Sequence, residues 1–299
     1  MWIWKYKVER LFIYGILITF SVCVLLAVTP VNQNSCPCET PPSQPPNLTN
    51  HLCILVPFRD RFTELLEFAP YIKKFLNRQG VSHEIIVINQ VDKWRFNRGS
   101  LINVGFLEMR KSCPFICIHD VDLLPLNPEI SYLPDSTPMH LTPPYLHPIY
   151  HYHKTYAGGI LILKRKEFEE VNGFSNRYWG WGLEDDEFAV RLKNAGLIMK
   201  QTGNLSTGTL HTFHHIHDKV VRKRDNVKCF NQKEITRRRD RVTGMHTLVY
   251  NVTSKVRISI SDTPVTVINA DLHCDREVTP WCTCADAPTA RTSNKKQKS

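Results

Sequence analysis

The stretch Tyr178-Trp179-Gly180-Trp181-Gly182-Leu183-Glu184-Asp185-Asp186-Glu187-Phe188 sets two indoles among glycines and runs straight into four consecutive acids. An aromatic face beside a carboxylate cluster suits a sugar. The C–H side of the ring packs on the indole, and the hydroxyls donate to the carboxylates. Phe188, Leu192 and Ala195 recur at helical spacing, with Gly196 where a helix C-cap belongs. The acids therefore fall in the first turn of a helix, where free N–H groups and the backbone dipole favour negative charge. Capping alone would explain an acidic first turn. It has no use for four carboxylates in a row, nor for indoles on glycine hinges.

A second constellation is His119-Asp120-Val121-Asp122, directly after the apolar run Phe115–Ile118. Residues two apart in an extended segment point the same way. One carboxylate can then hold a divalent ion while the other takes a ribose or sugar hydroxyl. Phe213-His214-His215-Ile216-His217-Asp218 supplies imidazoles, and His215 and His217 share the same i, i+2 relation. Carboxylate plus imidazole suits a manganese-type ion with positions open for diphosphate oxygens. A structural zinc is the alternative, and it wants a fourth protein ligand.

Pro57-Phe58-Arg59-Asp60-Arg61 and Phe96-Asn97-Arg98 set guanidinium forks beside aromatic rings, as a nucleotide diphosphate requires. Taken singly, Arg59 and Arg61 read as solvated loop charges. Residues 143–156 are dense in Tyr and His and form either an acceptor cleft or a buried aromatic loop. Gly158-Gly159 follows, where the backbone can approach a ligand closely. Asp218 to Arg241 is strongly basic: an exposed helix or loop, or a lid that closes over a negatively charged donor.

The elements that must position these residues are legible as runs. Leu52–Val56, Glu84–Ile88 and Phe115–Ile118 read as buried strands. Helical patterns lie between them, from Phe62 to Leu76 (bent at Pro70) and over 98–110. This alternation predicts an α/β fold, a Rossmann-like, mostly parallel sheet with helices on both faces. Ligands in such sheets sit outside the carboxyl ends of the strands, where the polar motifs fall. A strand over Ile160–Leu163 and antiparallel strands near Thr247–Val252, Val256–Ile260 and Val265–Asn269 complete the body.

The 299 residues allow one large domain with appendages, and 42% apolar content is ordinary for a globular protein. A formal charge of +10 favours anionic partners. No zinc-finger spacing or RNA-binding signature points to nucleic acid, and none is expected as a partner. Leu11 to Val28 is an uncharged apolar run behind Lys5, Lys7 and Arg10, which predicts a short signal-anchor with its basic flank in the cytoplasm. A cleaved signal peptide is the rival, but Val28-Thr29-Pro30 is a poor cleavage site. The expected organisation is a cytoplasmic tail (1–10), a transmembrane anchor (11–28), a Pro-rich stem (29–50), a luminal catalytic domain (51–285) and a basic disordered tail (286–299). Ten cysteines and sequons at Asn47, Asn204 and Asn251 fit an oxidising lumen. Cys274 and Cys282 flank a short Pro-Trp turn as a local pair. A zinc reading of Cys36/Cys38 or Cys282/Cys284 has no partner pair at zinc spacing.

From about residue 52 to 284 the chain resembles the β-1,4-galactosyltransferases. The resemblance rests on residues 57–61, 96–99, 120–122, 158–159 and 179–188 in that order and spacing. It implies a GT-A fold, Mn2+, and inverting transfer from UDP-galactose by a single-pass type II protein of the Golgi membrane. His215-x-His217, the basic run after it, and Leu272–Asp275 with Pro280-Trp281-Cys282 resemble one branch of the family. That branch adds galactose to the 4-hydroxyl of β-linked xylose on proteoglycan core proteins. By the resemblance, Asp122, His215 and His217 bind manganese, with His214 entering if the register shifts. Pro57, Phe58, Arg59, Arg61, Phe96, Arg98, Asp120, Gly159, Trp181 and Asp186 hold the donor. Asp185 is the general base with Glu184 beside it, and Tyr150, Tyr152, Tyr156 and Trp181 meet the acceptor together with these two acids. His153, between Tyr152 and Lys154, departs from the branch pattern. The alternatives are an N-acetylgalactosamine donor, an N-acetylglucosamine acceptor, a nucleotide-sugar hydrolase, or a sugar-binding module without turnover.

Overall fold

The computed structural model describes residues 50–203, 205–218, 220–238, 240–285 and 287. The expected cytoplasmic tail, anchor, nearly all of the stem and most of the basic tail lie outside them. Among the described residues no helix is long and apolar enough to cross a membrane.

Three parallel strands form the centre: β1 (Leu52–Phe58), β2 (His83–Gln90) and β3 (Phe115–His119). Strand β1 alternates faces, as the period of an extended chain demands. Cys53 and Leu55 belong to one core cluster, and Leu52, Ile54, Val56 and Phe58 to the other. Helix α1 (Phe62–Arg78) covers the second face with Leu65, Phe68, Ile72 and Leu76, and continues through Pro70. Helix α2 (Arg98–Met109) covers the first face with Leu101, Ile102 and Phe106. Gly105 lets it close on the sheet, since a Cβ there would stand 2.6 Å from Ile88. The Asn97 side chain caps α2 by accepting from Ser100 N–H at 3.0 Å.

The sheet is extended by β5 (Met139–His140), β6 (Ile160–Lys164) and β7 (Lys200–Gln201) on one side. On the other lie β9 (Tyr250–Ile260) and β10 (Thr263–Leu272). Its order is β7-β5-β6-β3-β1-β2-β10-β9. β6 runs antiparallel to β3, β10 runs parallel to β2, and β9 closes the edge antiparallel to β10. Two expectations are corrected here. The strands predicted at Thr247–Val252 and Val256–Ile260 are one continuous β9. The polar residues Thr253-Ser254-Lys255 fit a half-exposed edge strand and do not break it. The strand predicted at Val265–Asn269 extends the parallel block rather than only pairing in a hairpin. A separate two-stranded ribbon, β4 (Leu123–Pro125) with β8 (Phe213–His215), stands beyond the carboxyl edge. Disulfides join Cys274 to Cys282, as the spacing predicts, and also Cys53 to Cys113 and Cys229 to Cys284.

Candidate active site

The ribbon explains how Asp122 meets the histidines. Leu123 pairs with His215, and Ile216 N–H donates to the Asp122 carbonyl at 2.9 Å. The Asp122 carboxylate then lies 3.3 Å from His217 Nδ1 and 3.9 Å from His215 Nε2. Burial would raise Asp122, but His217, His215 and Arg61 outweigh it and hold the carboxyl below its ordinary value. Burial pushes His215 down to about 4, so its ring is neutral and its lone pair is available. His215 Nδ1 is buried with no hydrogen-bond partner among the described residues. One ionised oxygen donor and two imidazoles fit a divalent ion of the manganese class. His214, opposite Leu124 in the ribbon, is exposed and lies on the other side.

The zinc reading of Cys282/Cys284 fails in this structure, and Cys36/Cys38 lie outside the described residues. Cys282 and Cys284 are both consumed in disulfides. Among the described residues, the group whose ligand atoms all lie within mutual reach is His51, Cys53 and Glu84, and Cys53 is bonded to Cys113.

Helix α3 (Arg165–Glu170) follows β6, and α4 (Glu184–Asn194) carries the four acids in its first turn. Gly196, just past its end, takes φ +74°, the left-handed cap that its sequence position predicts. At its start Leu183 is forced to φ +80°, a strained setting for a branched side chain. Arg98, the first residue of α2, joins the two acidic clusters. Its Nε and Nη2 donate to Asp120 Oδ1 at 2.9 and 2.7 Å, while Nη1 lies 3.8 Å from Glu184 Oε1. Among the described residues, buried Arg98 Nη1 and Glu184 Oε2 have no hydrogen-bond partner, so a donor and an acceptor remain for ligand hydroxyls. Burial would lower Arg98, but Asp120, Glu184 and Asp185 hold it protonated. Burial, reinforced by the Asp185 charge, pushes Glu184 up to about 7. Asp185 is raised as well, chiefly by burial, with Arg98 opposing.

Asp185 rests on glycine. A Cβ at Gly158 would stand 2.5 Å from Asp185 Oδ2 and 3.0 Å from the Tyr156 ring. The Gly158 carbonyl is held by Thr142 Oγ1 at 2.9 Å and lies 2.8 Å from His140 Nε2. Gly159 has φ +81°, and a Cβ there would meet Thr142 Oγ1 at 2.5 Å. The tyrosines taper outward from this floor: Tyr156 is buried, Tyr150 half-buried and stacked on it at 4.8 Å, and Tyr152 exposed. His147, which the sequence did not single out, is buried between them. Its ring is 5.0 Å from Tyr156, 4.7 Å from Tyr150 and 5.8 Å from His215. It thus links the metal-type cluster to the aromatic wall.

The basic segment is fastened across this cleft. The Arg224 guanidinium lies between Tyr150, at 5.3 Å, and Trp181, at 4.9 Å. Trp181 N–H donates to the Asp225 carbonyl, and Lys228 Nζ donates to the Trp181 carbonyl. Arg95 is a second residue missed from sequence. It makes a two-point ion pair with Asp225 and also donates to Gln232, which lies in α5 (Gln232–Arg237), and to the Trp281 carbonyl. Gly180 has φ +82°, and any Cβ there would run into the Arg95 guanidinium. The glycine between the tryptophans therefore serves Arg95 as much as a hinge.

The remaining donor-site candidates divide. Pro57 and Phe58 are buried at the end of β1, and Phe96 packs half-buried on the core. Arg59 donates to the carbonyls of Gln90, Trp94 and Asp92, so it holds the loop after β2. Arg61 donates to Glu64 and reaches His217 Nδ1 at 3.3 Å. Glu64, buried and also bound by Arg222, ties the basic segment to α1. Asp186 faces the inserted His153 at 3.5 Å.

The model for the N-terminal region of glycosyl transferase group 7 matches residues 30–135, and that for the N-terminal domain of galactosyltransferase matches 137–217. Beta-1,4-galactosyltransferase 7 of Drosophila melanogaster is 52% identical over 241 residues, covering 80% of this chain and 74% of the relative. The xylosylprotein 4-beta-galactosyltransferase of Caenorhabditis elegans is 49% identical over 237 residues, covering 77% and 81%. Among solved structures, the Drosophila enzyme's catalytic domain with xylobiose is 51% identical, with a TM-score of 0.77, covering 79% of this chain and 100% of that one. A mutant of it in complex with manganese, UDP-Gal and xylobiose matches equally well. A GT-A-like α/β sheet with an Asp-x-Asp at its carboxyl edge, facing an imidazole pair and a buried acid cluster, defines a glycosyltransferase. Within that class, the chain belongs to the β-1,4-galactosyltransferase family.

Proposed function

We propose that this chain is an inverting, manganese-dependent enzyme that transfers galactose from UDP-galactose to the 4-hydroxyl of β-linked xylose on proteoglycan core proteins. The single observation that carries it is Arg98, which joins Asp120 of the metal-side motif to Glu184 of the acid cluster. The related Drosophila structure, which holds manganese, UDP-Gal and xylobiose together, supports the same reading.

In this reading Asp185 takes the proton of the acceptor hydroxyl as that oxygen attacks the anomeric carbon from the face opposite UDP. Asp186 N–H occupies Asp185 Oδ1 at 2.9 Å, so Oδ2, beside Gly158, is the proton's destination. Burial raises Asp185 toward the pH at which a general base works best. Glu184 and Asp186 accept from sugar hydroxyls, and Trp181 with Tyr150 and Tyr156 packs their apolar faces. Arg61, Arg98 and Arg224 bring positive charge to the diphosphate. Asp122, His215 and His217 would hold manganese, which when bound offsets the charge on the departing diphosphate. The segment 218–241 acts as the lid, opening to release UDP. The chain is anchored by residues 11–28 in the Golgi membrane with its catalytic domain in the lumen, and three disulfides suit that compartment.

The test is purified full chain with a panel of UDP-sugars and acceptors, with and without Mn2+. Galactose on a β-xyloside, linked to O4 with inverted configuration and only with metal, is the expected product. Equal release of free galactose without acceptor would make it a hydrolase. Preference for N-acetylglucosamine would move it to another branch. Protease protection of sealed Golgi vesicles checks the orientation: digestion of the catalytic domain in intact vesicles would refute it.

A further inference from the structure

The amino edge of the sheet, at the far end of the strands from the site above, carries a polar groove. Two hollows of about 360 and 400 Å³ adjoin there and share Lys73, Asn77 and Thr263. Each falls in the range of small-molecule sites, roughly 300–1,000 Å³. The first is formed by His51, His83 and Glu84 at the starts of β1 and β2, with Arg257 from β9. The second adds Lys74 and Arg78 from α1. Four cations thus line the groove against one acid, Glu84.

One atom in it is unexplained by the fold. Thr263 is only 1% exposed and lines both hollows, yet its Oγ1 is buried with no hydrogen-bond partner among the described residues. Buried hydroxyls in native structures are almost always satisfied, so this one points to a ligand. Three side chains around it are fixed by single hydrogen bonds. Lys73 Nζ donates to the Asp262 carbonyl at 2.6 Å, His51 Nδ1 meets Ser82 Oγ at 2.8 Å, and Glu84 accepts from Thr266 Oγ1 at 2.7 Å.

We propose that this groove is a second binding site, for an oligosaccharide that carries sulfate or carboxylate groups. Lys73, Lys74, Arg78 and Arg257 take the acidic groups as ammonium and guanidinium donors. Asn77 and Thr263 bind hydroxyls, and the free oxygen of Glu84 accepts from them. The mixture decides between ligand classes. The carboxylates of a poly-acidic peptide offer no hydroxyl donors to Glu84 and are repelled by it, and a flat lipid surface cannot enter the two hollows, whereas a sugar fits them and uses both signs. The site rests on the proposed function only in expecting a glycan near the enzyme, and its geometry is independent of it.

The experiment is equilibrium binding of purified full chain to a sulfated disaccharide cut from heparin. The unsulfated disaccharide, hexaglutamate and phosphatidylserine vesicles serve as comparators. Saturable binding of the sulfated disaccharide is expected, about tenfold weaker in Lys73→Ala/Arg257→Ala and several-fold weaker in Thr263→Val. Thr263→Val keeps the shape and removes only the orphan hydroxyl, and transfer to a β-xyloside reports that each variant is folded. Unsaturable binding, unchanged affinity in the variants, or equal or tighter binding of any comparator overturns the proposal. Loss of β-xyloside transfer in the wild-type chain with disaccharide binding intact would instead sink the functional reading and leave the groove standing.

Discussion

The two edges of one sheet carry charge in opposite ways. At the carboxyl edge the charges are bonded to each other: Arg98 between Asp120 and Glu184, and Glu64 between Arg61 and Arg222. Backbone glycine lets Asp185 settle onto the floor. At the amino edge Lys74, Arg78 and Arg257 stand exposed, and no such cross-bracing holds them among the described residues. The first arrangement fixes groups in place before a substrate arrives, which is what lowers a barrier. The second leaves flexible cations to adapt, which is enough for binding. Burial makes the difference measurable, because it shifts the acids of the first edge.

The comparison breaks most sharply at Asp185. Asp185→Asn should lower kcat by about 10²- to 10⁴-fold, the worth of a positioned base, without lowering Tm. A mutant retaining a tenth of wild-type turnover would remove the base from the mechanism. Next, His217→Ala should lose the manganese response of transfer, read as a metal titration. The loss should exceed the ten- to hundred-fold cost of a merely supporting residue, roughly. Retained manganese affinity would remove His217 from the ligand set. Gly158→Ala should cost kcat about 10²-fold, since the new Cβ displaces Asp185 Oδ2 and misplacement by about 1 Å has that effect.

A smaller effect is one of pH. Burial, reinforced by the Asp185 charge, pushes Glu184 up from an ordinary 4.5 to about 7, so the folded state prefers its proton and is destabilised as rising pH ionises it. Glu184→Gln, which cannot ionise, should therefore raise Tm over wild type at about pH 8 and change it little at about pH 4. The same rise at both would mean that burial of the charge is not the cause. The smallest effect belongs to the amino edge: Lys73→Ala/Arg257→Ala should leave transfer to a free β-xyloside within about twofold, as surface substitutions usually do. A large loss would show that the two edges are coupled.

Much of the carboxyl edge was legible because it is built from local signals. Continuous apolar runs end in polar motifs at Arg59, Asn89 and Asp120, and a parallel sheet gathers such ends together. The acids at 184–187 announce a helix start by their position before Phe188 and Leu192. His147 gave no signal, because a single histidine in a Tyr- and His-rich loop has no periodicity to mark it. Arg95 carries no motif in the sequence, and only its contacts with Asp225, Gln232 and Trp281 show that it fastens the basic segment. Thr253-Ser254-Lys255, between the two strands predicted within β9, carries no apolar signal, yet an edge strand accepts polar residues on its open face.

By itself the sequence determined the strand–helix alternation, the residues able to bind metal and sugar, the Cys274–Cys282 link and the family. The alternation, the candidate residues and the disulfide follow from neighbours along the chain, where backbone geometry and period are enough, and the family follows from the resemblance that the motifs carry. The tertiary structure alone decided that the β4–β8 ribbon turns His215 and His217 toward Asp122, that Arg224 lies between Tyr150 and Trp181, and that Cys53 and Cys229 find partners 60 and 55 residues away. It also decided that Thr263 hides an unpaired hydroxyl at the opposite edge. Each of these depends on which surfaces pack together, and packing is a property of the whole core that no short stretch of residues encodes.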